Sequence, residues 1–285
     1  MQEGAAVGNF RWGIIGLGLI GGSIARRLAQ QGIPVLGADQ DPATQSEARA
    51  SGVFEALLDP PALVAAADGV ILATPVGAIE EWIASLPWRP GQLVLDTGST
   101  KRRVVAAMAR LPEGVCAVGG HPMAGKERSG FLASDPELFL GKPFILVPTP
   151  RTTPEAAARA EELVTVLGAR PIWMDAEIHD RRVAWVSHLP YVVAMALMAA
   201  AEATGDPALW EIAASGFRDA TRVAASDLRM MGPVVRSNAD EICAALEVLG
   251  QILARWRDDL CASPPMLPPE WEHLAARRRA LRFPD

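Results

Sequence analysis

Cysteine is scarce in this 285-residue chain. Cys116, Cys243 and Cys261 are odd in number and far apart. They therefore offer neither a disulfide framework nor a metal cluster, and read as reduced thiols in a cytosolic protein. The spacing typical of zinc ligands is absent, and so is a G-x-x-x-x-G-K-[ST] phosphate loop, so chemistry without metal is expected. Positive charge is in deficit, with 27 Lys+Arg against 33 Asp+Glu and a formal net charge of -6. That balance argues against nucleic acid or an anionic membrane as the main partner. Arg277, Arg278, Arg279 and Arg282 form a basic cluster, but Glu270 and Glu272 beside it favour a solvated helix face. The opening residues lack the basic start and apolar run of a signal peptide. The longest apolar run, 189–201, is too short to span a bilayer and reads as a buried helix of a soluble, cytoplasmic protein. No internal repeat or low-complexity linker occurs.

What is present centres on Phe10 to Asp39, FRWGIIGLGLIGGSIARRLAQQGIPVLGAD. The pattern predicts an apolar strand, a glycine-rich turn, an amphipathic helix and a second strand ending in an acid. Gly16, Gly18 and Gly21 form G-x-G-x-x-G at the strand-to-helix junction. The first glycine permits the tight turn, the second lets backbone approach a pyrophosphate, and the third allows close packing of helix on sheet. First-turn N–H groups, including those around Leu19 and Ile20, then face the phosphates. Asp39 lies close to the spacing of about 20 residues at which a carboxylate meets the ribose hydroxyls, which favours NAD over NADP. FAD shares this fingerprint, but nothing later in the chain supplies the machinery a flavin needs.

Further strands are expected near 52–57, 69–73, 93–96, 115–118, 144–147 and 170–174, separated by helices. Thr74 and Pro75 end the 69–73 strand where the nicotinamide half of a dinucleotide passes. From Asp175 strand signals vanish, and alanine, methionine, valine and leucine recur at helical spacing. Long helices are expected at 176–204, 207–225, 231–260 and 269–281, with a bend or break at Pro190. The fold class is α/β: a Rossmann-type dinucleotide-binding domain over 1–174, then an all-helical domain over 175–285. So much small and apolar helical surface suits a homodimer interface.

His121 follows the strand at 115–118 within GGHPMAGKERSG, on the edge of the sheet where open α/β folds place ligands. A neutral imidazole there can take a hydroxyl proton while the carbon beneath gives hydride to nicotinamide. The alternative is a histidine that fixes loop backbone; position favours catalysis. Ser99, beyond the neighbouring strand, either holds the substrate oxygen or orients His121, or else caps its own turn. Asp96 reads as a brace for that loop. His188, beside the break at Pro190, either meets substrate or is a satisfied core histidine, whereas His179 and His273, set among charges, are expected at the surface. Arg218 and Arg222, four apart, can share a helical face and grip a dianion, or form an interhelical or intersubunit salt bridge. Lys126 and Arg128 either add positive field at the substrate mouth or face water.

GLGLIGGS from Gly16, DTGSTK from Asp96, GGHPMAGKERSG from Gly119, SHLP from Ser187 and SGFRDATRVAASD from Ser215 together resemble the prephenate and arogenate dehydrogenase family over residues 10–260. The resemblance implies oxidation of the ring C4 hydroxyl of prephenate, or of its amino counterpart arogenate, with loss of the ring carboxylate. It implies that His121 polarises that hydroxyl with Ser99 beside it, and that His188, Arg222, Arg218, Lys126 and Ser129 lie around the substrate. It also implies a dimer formed through the helical domain. Three positions depart from the family: Lys126 stands where many members have threonine, Tyr191 where histidine is frequent, and Met231 where a tryptophan is common. An amino-substituted prephenate therefore stays open as substrate, and an NAD-sensing scaffold is the non-enzymatic alternative. An appended ACT or chorismate mutase domain is not expected.

Overall fold

The central strands are almost continuously apolar because helices cover both faces of the sheet there, leaving neither side of these strands to water. In the computed structural model, which describes residues 10–126 and 128–282, the order is β1 (Trp12–Ile15), α1 (Leu19–Gln30), β2 (Val35–Ala38), α2 (Pro42–Ser51), β3 (Ala56–Leu57), α3 (Pro60–Ala66), β4 (Gly69–Leu72), α4 (Val76–Ser85), β5 (Leu93–Asp96), α5 (Arg102–Met108) and β6 (Cys116–Pro122). The N-terminal residues 1–9 and Glu127 of the glycine-rich loop, both interpreted above, lie outside the described residues. Then come β7 (Pro143–Pro148), α6 (Pro154–Val166) and β8 (Arg170–Trp173). The eight strands form one sheet in the order β3-β2-β1-β4-β5-β6-β7-β8. All neighbours are parallel except β6 and β7, which run antiparallel.

Alternation along the strands builds two cores. Ile14, Ile71, Leu95 and Val118 meet Ile24 and Leu28 of α1 and Leu163 of α6 on one face. Ile15, Val70, Val94 and Ala117 meet Leu63 of α3, Ile79 of α4 and Val104 of α5 on the other. Burying each such side chain stabilises by about 1.5–3 kcal/mol before chain entropy is counted.

The strand expected at 115–118 runs on to Pro122, because β7 pairs antiparallel with its second half and aligns Gly120 with Leu146 and His121 with Ile145. His121 is thus on a strand and not in the loop beyond one. The third strand is also shorter than expected, Ala56–Leu57 only.

The helical part comprises α7 (Ala176–Val183), a π-helical turn at Ala184–His188, α8 (Leu189–Glu202), a 3-10 turn at Pro207–Glu211, α9 (Ser215–Thr221), a 3-10 turn at Arg222–Ala225, α10 (Leu228–Ser237), α11 (Ala239–Leu260) and α12 (Trp271–Ala280). Pro190 has no N–H for the carbonyl four residues back, and the chain widens into a π turn there without breaking. The helix expected at 207–225 is three short pieces, and that expected at 231–260 starts earlier and divides at Asn238. The apolar run at 189–201 is not isolated and is only partly buried, at Leu189, Tyr191 and Ala194. It belongs to a 27-residue helix, Ala176–Glu202, long and apolar enough by length and composition to cross a membrane. Trp185, Val186, Met195 and Leu197 remain exposed on it. Together the elements form a Rossmann-type α/β domain followed by a predominantly helical one.

Candidate active site

The turn between β1 and α1 is shaped by backbone contact. Gly16 has φ +94°, which L side chains rarely adopt, and a Cβ on Gly21 would lie 1.9 Å from the Gly16 carbonyl oxygen. Around Gly18, by contrast, a Cβ would meet nothing within 4 Å, so space lies open where the helix begins. No acidic residue occupies the first turn of α1, and its opening N–H groups have no intrahelical acceptor. Asp39, half-buried at the end of β2, accepts from Leu17 N at 2.6 Å and Asp41 N at 2.9 Å, which fixes its carboxylate beside the turn. The Thr74 hydroxyl just beyond β4 is buried without a hydrogen-bond partner. An open anion-binding helix start, an anchored acid and an orphaned hydroxyl fit a dinucleotide.

Beyond β5 and β6 the same edge carries a buried polar network. Asp96 accepts from Gly98 N at 2.7 Å, Gly120 N at 3.0 Å and the Lys101 ammonium, which also donates to the Gly120 carbonyl at 2.7 Å. Lys101 and Asp96 are both fully buried. Burial pulls the Lys101 pKa down while Asp96 pulls it back up. A Cβ on Gly120 would stand 2.3 Å from the Asp96 carbonyl oxygen, so a residue without a side chain lets β6 approach the end of β5. Ser99 lies half-buried in the turn past β5, next to Gly98, whose N–H bonds Asp96.

His121 Nδ1 lies 2.9 Å from His179 Nε2, and His179 Nδ1 lies 2.7 Å from Asp180 Oδ1. Asp180 also accepts from the backbone N–H of Lys101 at 2.7 Å and of Arg102 at 3.0 Å. Asn238 donates to the Asp180 carbonyl at 2.8 Å and lies 3.1 Å from His188 Nδ1. Burial, then the neighbouring His179, Lys101 and His188, holds the His121 pKa well below the usual histidine value, so its imidazole is neutral. Burial likewise lowers His188, to about 4. His188 Nε2 and the Tyr191 hydroxyl are buried without hydrogen-bond partners among the described residues. Each such group costs about 1–3 kcal/mol unless a ligand or water completes it.

The expected surface position of His179 is wrong: it is fully buried, as is Asp180, because both lie on the inner face of α7 with Val183. His273 is exposed, as expected. The two arginines do not share one unbroken α-helix. Arg218 lies in the middle of α9, is 74% exposed and pairs with Asp219 at 2.9 Å, whereas Arg222 starts the 3-10 turn that follows. Lys126 is partly exposed and bonds Asp135 at 2.8 Å, and Arg128 and Ser129 are exposed. Pro75 caps α4 at the surface. Sequence reasoning missed His179, Asp180 and Asn238. The spacing of His179, Asp180 and Val183, opposite the exposed Arg181 and Arg182, was the available signal for the first two.

Comparison with known proteins follows the same division. The prephenate dehydrogenase nucleotide-binding domain family matches residues 24–173, and the prephenate dehydrogenase dimerization domain family matches residues 175–258. A prephenate dehydrogenase of Lactococcus lactis subsp. cremoris is 35% identical over 236 residues, covering 80% of this chain and 64% of that protein. The chain thus spans a little under two thirds of that relative's length. A cyclohexadienyl dehydrogenase of Zymomonas mobilis is 34% identical over 243 residues, covering 82% of this chain and 83% of that protein. The crystal structure of prephenate dehydrogenase from Aquifex aeolicus in complex with hydroxyphenyl propionate and NAD+ superposes with a TM-score of 0.84 at 28% identity, covering 98% of this chain and 97% of that one.

Proposed function

The chain belongs to the prephenate dehydrogenase family, and from that membership we propose that it oxidises prephenate to 4-hydroxyphenylpyruvate with NAD. Bound NAD supplies the hydride acceptor. His121 accepts the hydrogen bond of the C4 hydroxyl and takes its proton as hydride leaves the same carbon. The resulting conjugated ketone makes the ring carboxylate a leaving group, and the C1–carboxylate bond breaks to give CO2 and an aromatic ring. The electron pair of that bond ends on the C4 oxygen, which takes back the proton from His121. Ser99 holds the hydroxyl in line, and Gly16, Gly18, Leu19, Ile20, Gly21, Asp39, Thr74 and Pro75 form the cofactor cradle. His188, Arg222, Arg218, Lys126 and Ser129 surround the substrate, the arginines meeting its carboxylates. Asp39 favours NAD over NADP because a 2′-phosphate would face its carboxylate.

The observation that carries this reading is His121 itself. It is buried to 8% exposure at the ligand edge of the sheet, with Nδ1 engaged and Nε2 without a hydrogen-bond partner among the described residues. Arogenate is the second reading, favoured by the likeness to a Synechocystis arogenate dehydrogenase structure, with a TM-score of 0.75 at 28% identity. The chain acts as a cytosolic homodimer through its helical domain, with the boundary at 174/175. The charged start of the 176–202 helix, Glu177, Arg181 and Arg182, favours a protein partner over lipid for its exposed apolar side.

Following NADH formation by the purified chain with prephenate and with arogenate, each with NAD and with NADP, tests the assignment. Prephenate with NAD is expected to give the highest kcat/KM. His121→Asn is expected to lower kcat by about 10²–10⁴-fold with NAD affinity unchanged. Turnover of neither substrate, or equal loss of turnover and NAD binding in His121→Asn, overturns it.

A further inference from the structure

We propose that His179 and Asp180 are positioning residues that lock His121 into the one tautomer whose Nε2 is bare and can accept the substrate hydroxyl. The inference rests on His121 being the hydrogen-bond acceptor of the reaction, and it names the device that makes it one.

Asp180 fixes the start of the chain. Its two carboxylate oxygens accept backbone N–H bonds from Lys101 and Arg102, which a carboxylate does and a protonated acid does less well. Bonds from His179, Arg102 and Lys101 keep its pKa below the ordinary carboxylate value despite burial. An ionised Asp180 requires N–H on His179 Nδ1, 2.7 Å away. A neutral His179 protonated at Nδ1 then presents a bare Nε2 to His121 Nδ1 at 2.9 Å, so that atom must carry the second ring's proton. The His121 proton is thereby on Nδ1, and Nε2 is left with its lone pair. Moving it to Nε2 would set two lone pairs 2.9 Å apart. Moving the His179 proton as well would set a lone pair against the Asp180 carboxylate. Either arrangement leaves buried acceptors facing one another without a proton, at the cost of at least one buried hydrogen bond.

The wider surroundings serve the lock and not an escape of protons to water. His179 and Asp180 are fully buried, and the groups around them are Lys101, Asp96, Arg102, His188 and Asn238. The reaction needs no exit, since the proton removed from the C4 hydroxyl returns to the same oxygen after CO2 leaves. A tautomer lock supplies what the chemistry requires, much as the buried aspartate of a serine protease orients its histidine. Asp180 is tied by its backbone carbonyl to Asn238, at the junction of α10 and α11, so the helical part fixes the lock.

The closing experiment reads the tautomer directly. In protein labelled with 15N-histidine, nitrogen NMR at neutral pH distinguishes pyrrole-type from pyridine-type ring nitrogens, and the His121 signals are those absent in His121→Asn. The expected result is pyrrole-type Nδ1 and pyridine-type Nε2 on His121. A protonated Nε2 in the wild-type protein overturns the proposal. In kinetics, His179→Leu is expected to lower kcat about 100-fold with substrate KM and NAD affinity little changed. His179→Gln, whose amide oxygen can accept from His121 Nδ1, is expected to recover at least tenfold of that loss. Unchanged kcat in His179→Leu, or no recovery with glutamine while both variants fold, also overturns it. If the wild-type protein turns over none of the substrates, the functional assignment fails while the NMR result still decides the lock. If His179→Leu does not fold, the NMR result and the glutamine variant decide it.

Discussion

His188 is an imidazole that the fold keeps uncharged. Burial is the main cause, opposed by Asp180 and reinforced by His179, and it brings the pKa from 6.5 to about 4. The unfolded chain therefore binds a proton at this residue at a higher pH than the folded one. Stability from this group is complete above pH 6.5 and is lost as pH falls toward 4, by up to about 3 kcal/mol. His121 and His179 are shifted the same way, and all three contribute to one acid-side decline. In His188→Asn the amide oxygen can take the place of Nδ1 beside Asn238 but cannot be protonated. Its unfolding free energy, measured in urea from pH 7 to pH 4, is expected to fall less steeply than that of the wild-type protein. An equal slope would mean that His188 takes no part in the decline.

Among the elements, the β1–α1 turn is the least tolerant of added atoms. Gly21→Ala would press a methyl group into the Gly16 carbonyl, so the helix must retreat from the turn that cradles the phosphates. The expected cost is about 1–3 kcal/mol of stability, together with at least a tenfold loss of NAD affinity by titration. Unchanged NAD binding would detach the turn from the cofactor.

This element was legible in the sequence because its demands are local: strand, glycines, helix and acid lie within thirty residues. The buried strands were legible for a similar reason, since coverage on both faces writes itself as uninterrupted apolar runs. The helices after Asp175 were harder to read. Alanine-rich spacing suggested one helix at 207–225, where the chain instead alternates between 3-10 and α pitch. The division at Asn238 depends on a side-chain bond to Asp180, 58 residues earlier, and no local pattern records it. His179 was misplaced because Glu177, Arg181 and Arg182 around it point outward while it and Asp180 point in.

At the scale of the whole molecule, the exposed apolar side of the 176–202 helix calls for a partner. Val186 is 69% exposed, and Leu228 and Leu253 add more uncovered surface. Apolar surface left open to this extent is expected to be covered in solution. Light scattering at micromolar concentration is expected to give twice the 30.3 kDa mass of one chain. Val186→Glu combined with Leu253→Glu is expected to shift the protein toward the monomer and to raise substrate KM, because Arg218 is largely open to water in a single chain. A monomeric wild-type protein would refute the dimer.

The bonds from Asp180 to Lys101 and Arg102 also bear on motion. By covalent order α7 opens the helical part, yet Asp180 fastens it to the start of α5, and Arg102 reaches on to Asn238 at 2.9 Å. A cleft that opened at residue 175 would tear these bonds and separate His179 from His121. The next place along the chain where the helical hydrogen-bond register changes is the π turn at Ala184–His188. Breathing of the substrate cleft would then leave the three-residue chain from His121 to Asp180 intact, and the amides of Lys101 and Arg102 would exchange with solvent only when the two domains come apart.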